Sequence, residues 1–121
     1  MEEGFAWPSF IEVPGFAEDW DALRCTDGDL SDLQSMLRTA PARWPVVPGA
    51  GGWRKMRFAP PSWGRGKSGS TRVYYAVLPR LGRILLGTAF AKTEMSDLAP
   101  MDKKALATML VEYRRVSEGG S

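Results

Sequence analysis

The chain has 121 residues, 44% hydrophobic and 25% charged, with a formal net charge of +2; that is one domain's worth of chain, apolar enough to build a core. One cysteine and no histidine exclude an internal disulfide, a zinc site of Cys and His, and catalysis by imidazole. No apolar run reaches the roughly 18 residues of a membrane span, and the opening Met1-Glu2-Glu3 does not read as a secretory signal, so a soluble, cytoplasmic protein without membrane contact is expected.

Residues 7–13 predict a short strand whose start Pro8 keeps at an edge, with Pro14-Gly15 breaking it. Phe16, Trp20 and Leu23 have helical spacing and predict a short helix over 16–24. Thr26-Asp27-Gly28-Asp29 reads as a turn with N-cap candidates. A second helix follows, with Leu30, Leu33, Met36 and Leu37 on one stripe, and Pro41 ends it. Residues 45–52 form a turn-rich connector. Three strands are then expected: Trp53–Phe58, Thr71–Leu78 and Arg83–Phe90, the last weakened slightly by Gly87. A long basic glycine-rich loop, Pro60 to Gly69, separates the first two, and Leu78-Pro79-Arg80-Leu81-Gly82 is a hairpin turn. The last element is a helix over about 100–115, with Leu106, Met109, Leu110 and Tyr113 as its apolar stripe and Pro100 in its first turn. No internal repeat is visible.

This order gives an α+β fold: an N-terminal strand and two helices packed on one face of a mainly antiparallel sheet, then a C-terminal helix. A single domain over residues 1–116 and a flexible tail over 117–121 are expected. Helices on one face would leave the other open as a concave surface.

The net charge hides a strong segregation. Residues 1–32 carry nine acids and one base, Arg24, for −8. Residues 33–93 carry no acid and eleven bases. Residues 94–121 come to −1. The bases of an acid-free stretch this long cannot pair locally. They reach the acidic N-terminal third, stay solvated, or meet an external anion such as phosphate.

Several short patterns fail on context. Gly64-Arg65-Gly66-Lys67-Ser68-Gly69 matches G-x-G-x-x-G, but a strand follows instead of a helix and no acid appears before Glu94. Gly66-Lys67-Ser68 echoes a P-loop ending, yet Pro61 stands where its first glycine belongs. No H-R-D or D-F-G supports a kinase. Gly49, Gly51 and Gly52 are read as turn residues. Cys25 is read as a small core or turn residue, with no histidine to activate it.

The cations themselves are more informative. Lys55 and Arg57 are two apart in a strand and share a face, while Arg54 points the other way. With Arg72 opening the next strand and Lys92 ending the last, plus Arg65 and Lys67 in the loop, they can hold a phosphodiester in charge-assisted bonds. RNA carries its own nucleophile, the 2′-OH, so such a site needs only to align it, take its proton, stabilise the phosphorane and protonate the leaving 5′-oxygen. A lysine crowded by cations is a candidate base, because like charge disfavours its protonated form. Arginine suits stabilisation. Tyr74, Tyr75, Trp63 and Phe90 are candidates for base stacking, although alternation must send Tyr74 or Tyr75 into the core. RNA contacts are expected from Arg54, Arg65, Lys67, Ser68 and Tyr74.

The runs Gly51-Gly52-Trp53-Arg54-Lys55-Met56-Arg57-Phe58, Gly66-Lys67-Ser68-Gly69-Ser70-Thr71-Arg72-Val73-Tyr74-Tyr75, Ala91-Lys92-Thr93-Glu94, Asp97-Leu98 and Lys103-Lys104-Ala105-Leu106 together resemble the RelE/ParE superfamily of bacterial toxins, nearest its RelE/HigB-type branch. Phe10-Ile11-Glu12 with Trp20, and Leu33 to Leu37 before Pro41, fit the same pattern, so the resemblance covers about residues 9–115. It implies a RelE-like fold and an mRNA interferase of a type II toxin–antitoxin system. Such a toxin cuts mRNA on the ribosome through 2′-OH attack without metal or cofactor. The resemblance also implies a cognate antitoxin of helix-turn-helix type that neutralises it. By the same resemblance Lys55 matches the general base, Arg57 and Arg72 the phosphate and transition-state cations, and Lys92 a further basic residue. The sequence departs from RelE at Ser96-Asp97-Leu98, where no tyrosine stands, and at Ser70-Thr71 in place of Gly-Tyr. Two other readings share the fold: a ParE-like toxin directed at DNA gyrase, and a module that binds RNA or a partner without cleaving.

Overall fold

The computed structural model describes residues 8–64 and 70–119. Among these residues strand β1 (Ser9–Glu12) is followed by helices α1 (Phe16–Ala22) and α2 (Asp27–Thr39), then strands β2 (Arg54–Phe58), β3 (Thr71–Leu78) and β4 (Arg83–Ala91), and last helix α3 (Pro100–Gly119). The chain is therefore α+β. The sheet order is β1-β4-β3-β2. β2–β3 and β3–β4 are antiparallel, and β1 joins β4 in parallel, so the sheet is mixed. A parallel neighbour requires a long crossover, which here includes both N-terminal helices and the next two strands.

Local chemistry sets the element ends. Thr26 caps α2: its hydroxyl accepts from the Asp29 amide at 3.0 Å, while the Asp29 carboxylate accepts from the Thr26 amide at 2.8 Å. This reciprocal pair satisfies two amides at the helix start. Asp27 to Asp29 thus form the first turn of the helix and not a separate turn. Leu33 and Leu37 are buried and Leu30 half-buried, but Met36 is on the exposed side, so the apolar stripe is narrower than expected. α3 runs to Gly119, and residues 117–119 are helical where a tail was expected. Among the described residues no helix is long and apolar enough to cross a membrane.

Two apolar layers sandwich the sheet. The first joins Phe16, Trp20, Leu33 and Leu37 of α1 and α2 to Met56, Phe58, Val73, Tyr75, Ile84 and Leu86 of the strands. The second joins Leu106 and Leu110 of α3, with Val47, Ala50 and Trp53 of the connector, to Tyr74, Ala76, Leu78, Leu85 and Phe90. Burying a side chain of this size stabilises by roughly 1.5–3 kcal/mol. The expectation of an open second face is therefore corrected: α3 and the connector cover most of it.

A bulge in β4 controls what points there. Tyr74 pairs with Thr88, but Tyr75 pairs with Leu86, which leaves Gly87 without a counterpart. One extra residue flips the alternation. Before the bulge Ile84 and Leu86 face the α1–α2 layer; after it Ala89 and Ala91 do, and Phe90 joins the α3 layer.

Candidate functional site

The site is built on β2 and β3. Trp53, at the mouth of β2, is fully buried in the α3 layer, and its indole Nε1 donates to the Leu106 carbonyl at 2.7 Å. Alternation then puts Lys55 and Arg57 on the same face. Across the ladder, Lys55 faces Tyr74 and Arg57 faces Arg72. Arg72 in turn faces Phe90. The connector runs alongside β2, with the Val47 amide donating to the Trp53 carbonyl at 2.9 Å. Between them lies a cleft of about 310 Å³ lined by Trp44, Pro45, Lys55, Met56, Arg57 and Arg72.

Arg57 and Arg72 dominate its charge. Like charges directly opposite in an antiparallel pair destabilise it. Arg57 is exposed and Arg72 half-buried. Arg72 donates to the Ser70 hydroxyl at 2.8 Å, and among the described residues neither guanidinium lies in an ion pair with a carboxylate. The cleft thus faces solvent with two cations side by side.

Lys55 has a different partner. Its Nζ lies 3.2 Å from Asp97 Oδ2, and Lys103 Nζ lies 3.1 Å from the same oxygen. Asp97 Oδ1 accepts from the Tyr74 hydroxyl at 2.5 Å and from the Leu98 amide at 2.8 Å. Burial pushes the Asp97 carboxyl up, but these donors outweigh it and hold the group well below the ordinary carboxylate range. Burial, the bond to Asp97 and the Asp97 charge all push the Tyr74 phenol up, so it stays neutral. Lys55 thus has cations around it, Lys103 on the shared oxygen and Arg57 and Arg72 on the same cleft, but it also has a carboxylate partner that the sequence reading did not expect.

The other expected contacts divide. Tyr74 is buried with its ring 6.3 Å from that of Phe90, so neither ring is available to a base. Tyr75 is buried in the opposite layer, with its hydroxyl donating to the Pro41 carbonyl at 2.7 Å. Trp63 is half-buried and donates to the Leu23 carbonyl at 3.2 Å. Arg54 points away from the cleft and donates to the carbonyls of Ala42 and Trp44 at 3.3 and 2.6 Å; it ties down the connector. Lys92 is exposed just beyond β4, its amide bonded to the Ser70 carbonyl at 3.0 Å, but it does not line the cleft. Arg65, Lys67 and Ser68 lie outside the described residues.

Three residues at the cleft or beside it were not singled out as site residues by the sequence reading. Trp44 is the aromatic side chain on the cleft wall, with the Arg43 guanidinium 5.1 Å from its ring centroid. Its only signal was an aromatic in a basic, proline-flanked turn. Asp97 and Lys103 signalled nothing by spacing, because the chain brings them to Lys55 only through the packing of α3. No protein-family model matches the chain.

Proposed function

We propose that the protein is a RelE-like toxin, a ribosome-dependent endoribonuclease that cuts mRNA and is neutralised by a cognate antitoxin. The observation that carries the reading is the pairing of Arg57 with Arg72 across the β2–β3 ladder, beside Lys55, on the wall of one cleft. Two cations held against their own repulsion are stabilised by an anion between them, and a phosphodiester offers two acceptor oxygens to such a fork. In this reading Arg57 and Arg72 bind the scissile phosphate and neutralise the phosphorane. The 2′-oxygen attacks the adjacent phosphorus and the bond to the 5′-oxygen breaks; that oxygen takes a proton from solvent, so the products are a 2′,3′-cyclic phosphate and a 5′-hydroxyl. For Lys55 to take the 2′-OH proton it must first leave Asp97 and give up its own proton to solvent, so that the neutral amine is the base. The resemblance of residues 9–115 to the RelE/HigB-type branch supports the same conclusion.

The test is cleavage of a defined mRNA on programmed ribosomes, read by primer extension. Arg57→Ala and Arg72→Ala are each expected to lower the rate about 100-fold, the scale of losing one preorganised donor to a developing anion. Full activity in both variants overturns the assignment. A second reading has its own support. Lys55 is engaged by Asp97 at 3.2 Å, which suits a module that holds RNA without cutting it. RNA binding that weakens steeply with salt, with no cleaved product from the wild type, selects that reading.

A further inference from the structure

Asp97 is fastened to the protein on one side and presents charge on the other. Neutral donors, the Tyr74 hydroxyl and the Leu98 amide, fix Oδ1. Oδ2 lies between two ammonium groups from different elements, Lys55 of β2 and Lys103 of the first turn of α3. Two lysines converging on one oxygen is an arrangement that also suits a phosphate oxygen. The surroundings point the same way. Lys55, Asp97 and Lys103 line a depression of about 260 Å³ together with Pro45, Val46, Val47 and Pro48. Pro45 and Lys55 also line the arginine cleft, so the two depressions adjoin. Together they make one groove from Arg57 and Arg72, past Lys55, to Lys103.

We propose that this groove carries a single RNA strand, that Lys103 is a second phosphate contact on it, and that Asp97 stands in for that phosphate in the free protein. The proposal rests on the RNA-directed reading above and adds to it the length of the bound strand and an internal competitor. The exchange is accessible from solvent: the side chains of Lys55, Lys103 and Asp97 are 27%, 22% and 31% exposed. RNA entering the groove replaces one anion by another, so neither lysine is left without a counter-charge. The same exchange releases Lys55 toward the scissile position. Asp97 is thus a positioning residue that acts through Lys55 and Lys103.

The experiment is the affinity of the intact protein for a mixed-sequence, single-stranded RNA oligonucleotide, measured by fluorescence anisotropy across a salt series. Asp97→Asn keeps a carbonyl oxygen to accept from Tyr74 and Leu98 but removes the charge. It is expected to bind about three- to tenfold more tightly at low salt, with the salt slope steeper by about 0.7 for each lysine released to a phosphate. Adding Lys103→Gln to that variant is expected to abolish the gain, whereas adding Lys104→Gln, exposed on the same turn, preserves it. Lys103→Gln alone is expected to weaken wild-type binding several-fold, which tests the second contact without touching Asp97. Wild-type binding with no gain in Asp97→Asn, or no loss in Lys103→Gln, overturns this inference and leaves the nuclease reading standing. RNA binding by neither the wild type nor Asp97→Asn defeats both.

Discussion

Two carboxylates bind the molecule together at the scale of single residues. Asp97 links β2, β3 and α3 through Lys55, Tyr74 and Lys103. Asp29, only 1% exposed, links the start of α2 to the turn at Pro61–Trp63, accepting from the Ser62 amide at 2.9 Å and from the Ser62 hydroxyl. Burial raises the Asp29 carboxyl, but the Ser62 and Thr26 donors outweigh it and hold it below its usual value of 3.8. Burial and the Asp29 charge push the nearby Cys25 thiol up to about 12, so it stays protonated and inert near neutral pH. A carboxyl with a depressed native pKa stabilises the fold fully above its unfolded value and loses that contribution as the pH falls toward its native value. Stability is therefore expected to be level above about pH 4 and to decline below it. Urea midpoints measured from pH 6 to pH 2 check this. Asp97→Asn and Asp29→Asn should each flatten the decline, and an unchanged acid limb in both would refute the assignment. Neither partnership was legible in the sequence. Asp29 lay among the N-cap candidates; Thr26 is the N-cap and Asp29 the third helical residue that completes its capping box, and Ser62 reaches it from another part of the chain. By contrast, the shared face of Lys55 and Arg57 follows from two-residue spacing alone, and the structure keeps it.

At the scale of elements, periodicity was enough to place β3, α1 and α2, because their apolar residues repeat with the period of the backbone. It was not enough to place α3 relative to the sheet. That packing depends on close approaches that single residues permit. At Gly51, with φ of +69°, an added Cβ would stand 2.7 Å from the Ala107 Cβ of α3. At Gly87 an added Cβ would lie 2.6 Å from Trp53 Cζ3 and 2.9 Å from Cη2. The Trp53 ring therefore crosses β3 and rests on bare backbone at the β4 bulge, and the glycine expected to weaken β4 is what admits it. A buried indole, bonded to the Leu106 carbonyl, has no room to move aside. Gly87→Ala is expected to cost roughly 1–3 kcal/mol, the range for overpacking a filled core. Thermal or urea unfolding reads this directly. Because the same ring seats α3, the variant should also lose protection of α3 amides in hydrogen exchange before those of β3. A melting temperature equal to the wild type would show that Trp53 does not set the docking of α3.

For the whole molecule, the charge segregation of the sequence becomes a division of labour among the cations of the acid-free segment. Arg54 braces the connector through two carbonyls. Arg38 lies 5.1 Å from the Phe10 ring centroid. Arg83 donates to the Tyr113 hydroxyl at 2.8 Å. Among the described residues, no ion pair joins these bases to the acidic N-terminal third. The sequence left three fates open for these bases, and among the described residues pairing with the acidic N-terminal third is not the one taken. The sequence could not separate those at the cleft from those elsewhere, because that depends on which end of a strand each occupies. Arg57 and Arg72 sit at one end of the β2–β3 ladder. Arg80 is exposed in the turn Pro79–Leu81, beyond the other end of β3. At about 3.3 Å per residue, the two ends are roughly 20 Å apart, well beyond the roughly 8 Å Debye length at physiological salt. RNA bound in the cleft should therefore sense Arg72 and not Arg80. Arg72→Gln is expected to reduce the magnitude of the salt slope by about 0.7, as for one lost phosphate contact on a single strand. Arg80→Gln, with the same change in net charge, should leave both slope and affinity unchanged. Equal losses from the two would mean that the molecule attracts RNA through its overall basicity, and the cleft would lose its special status.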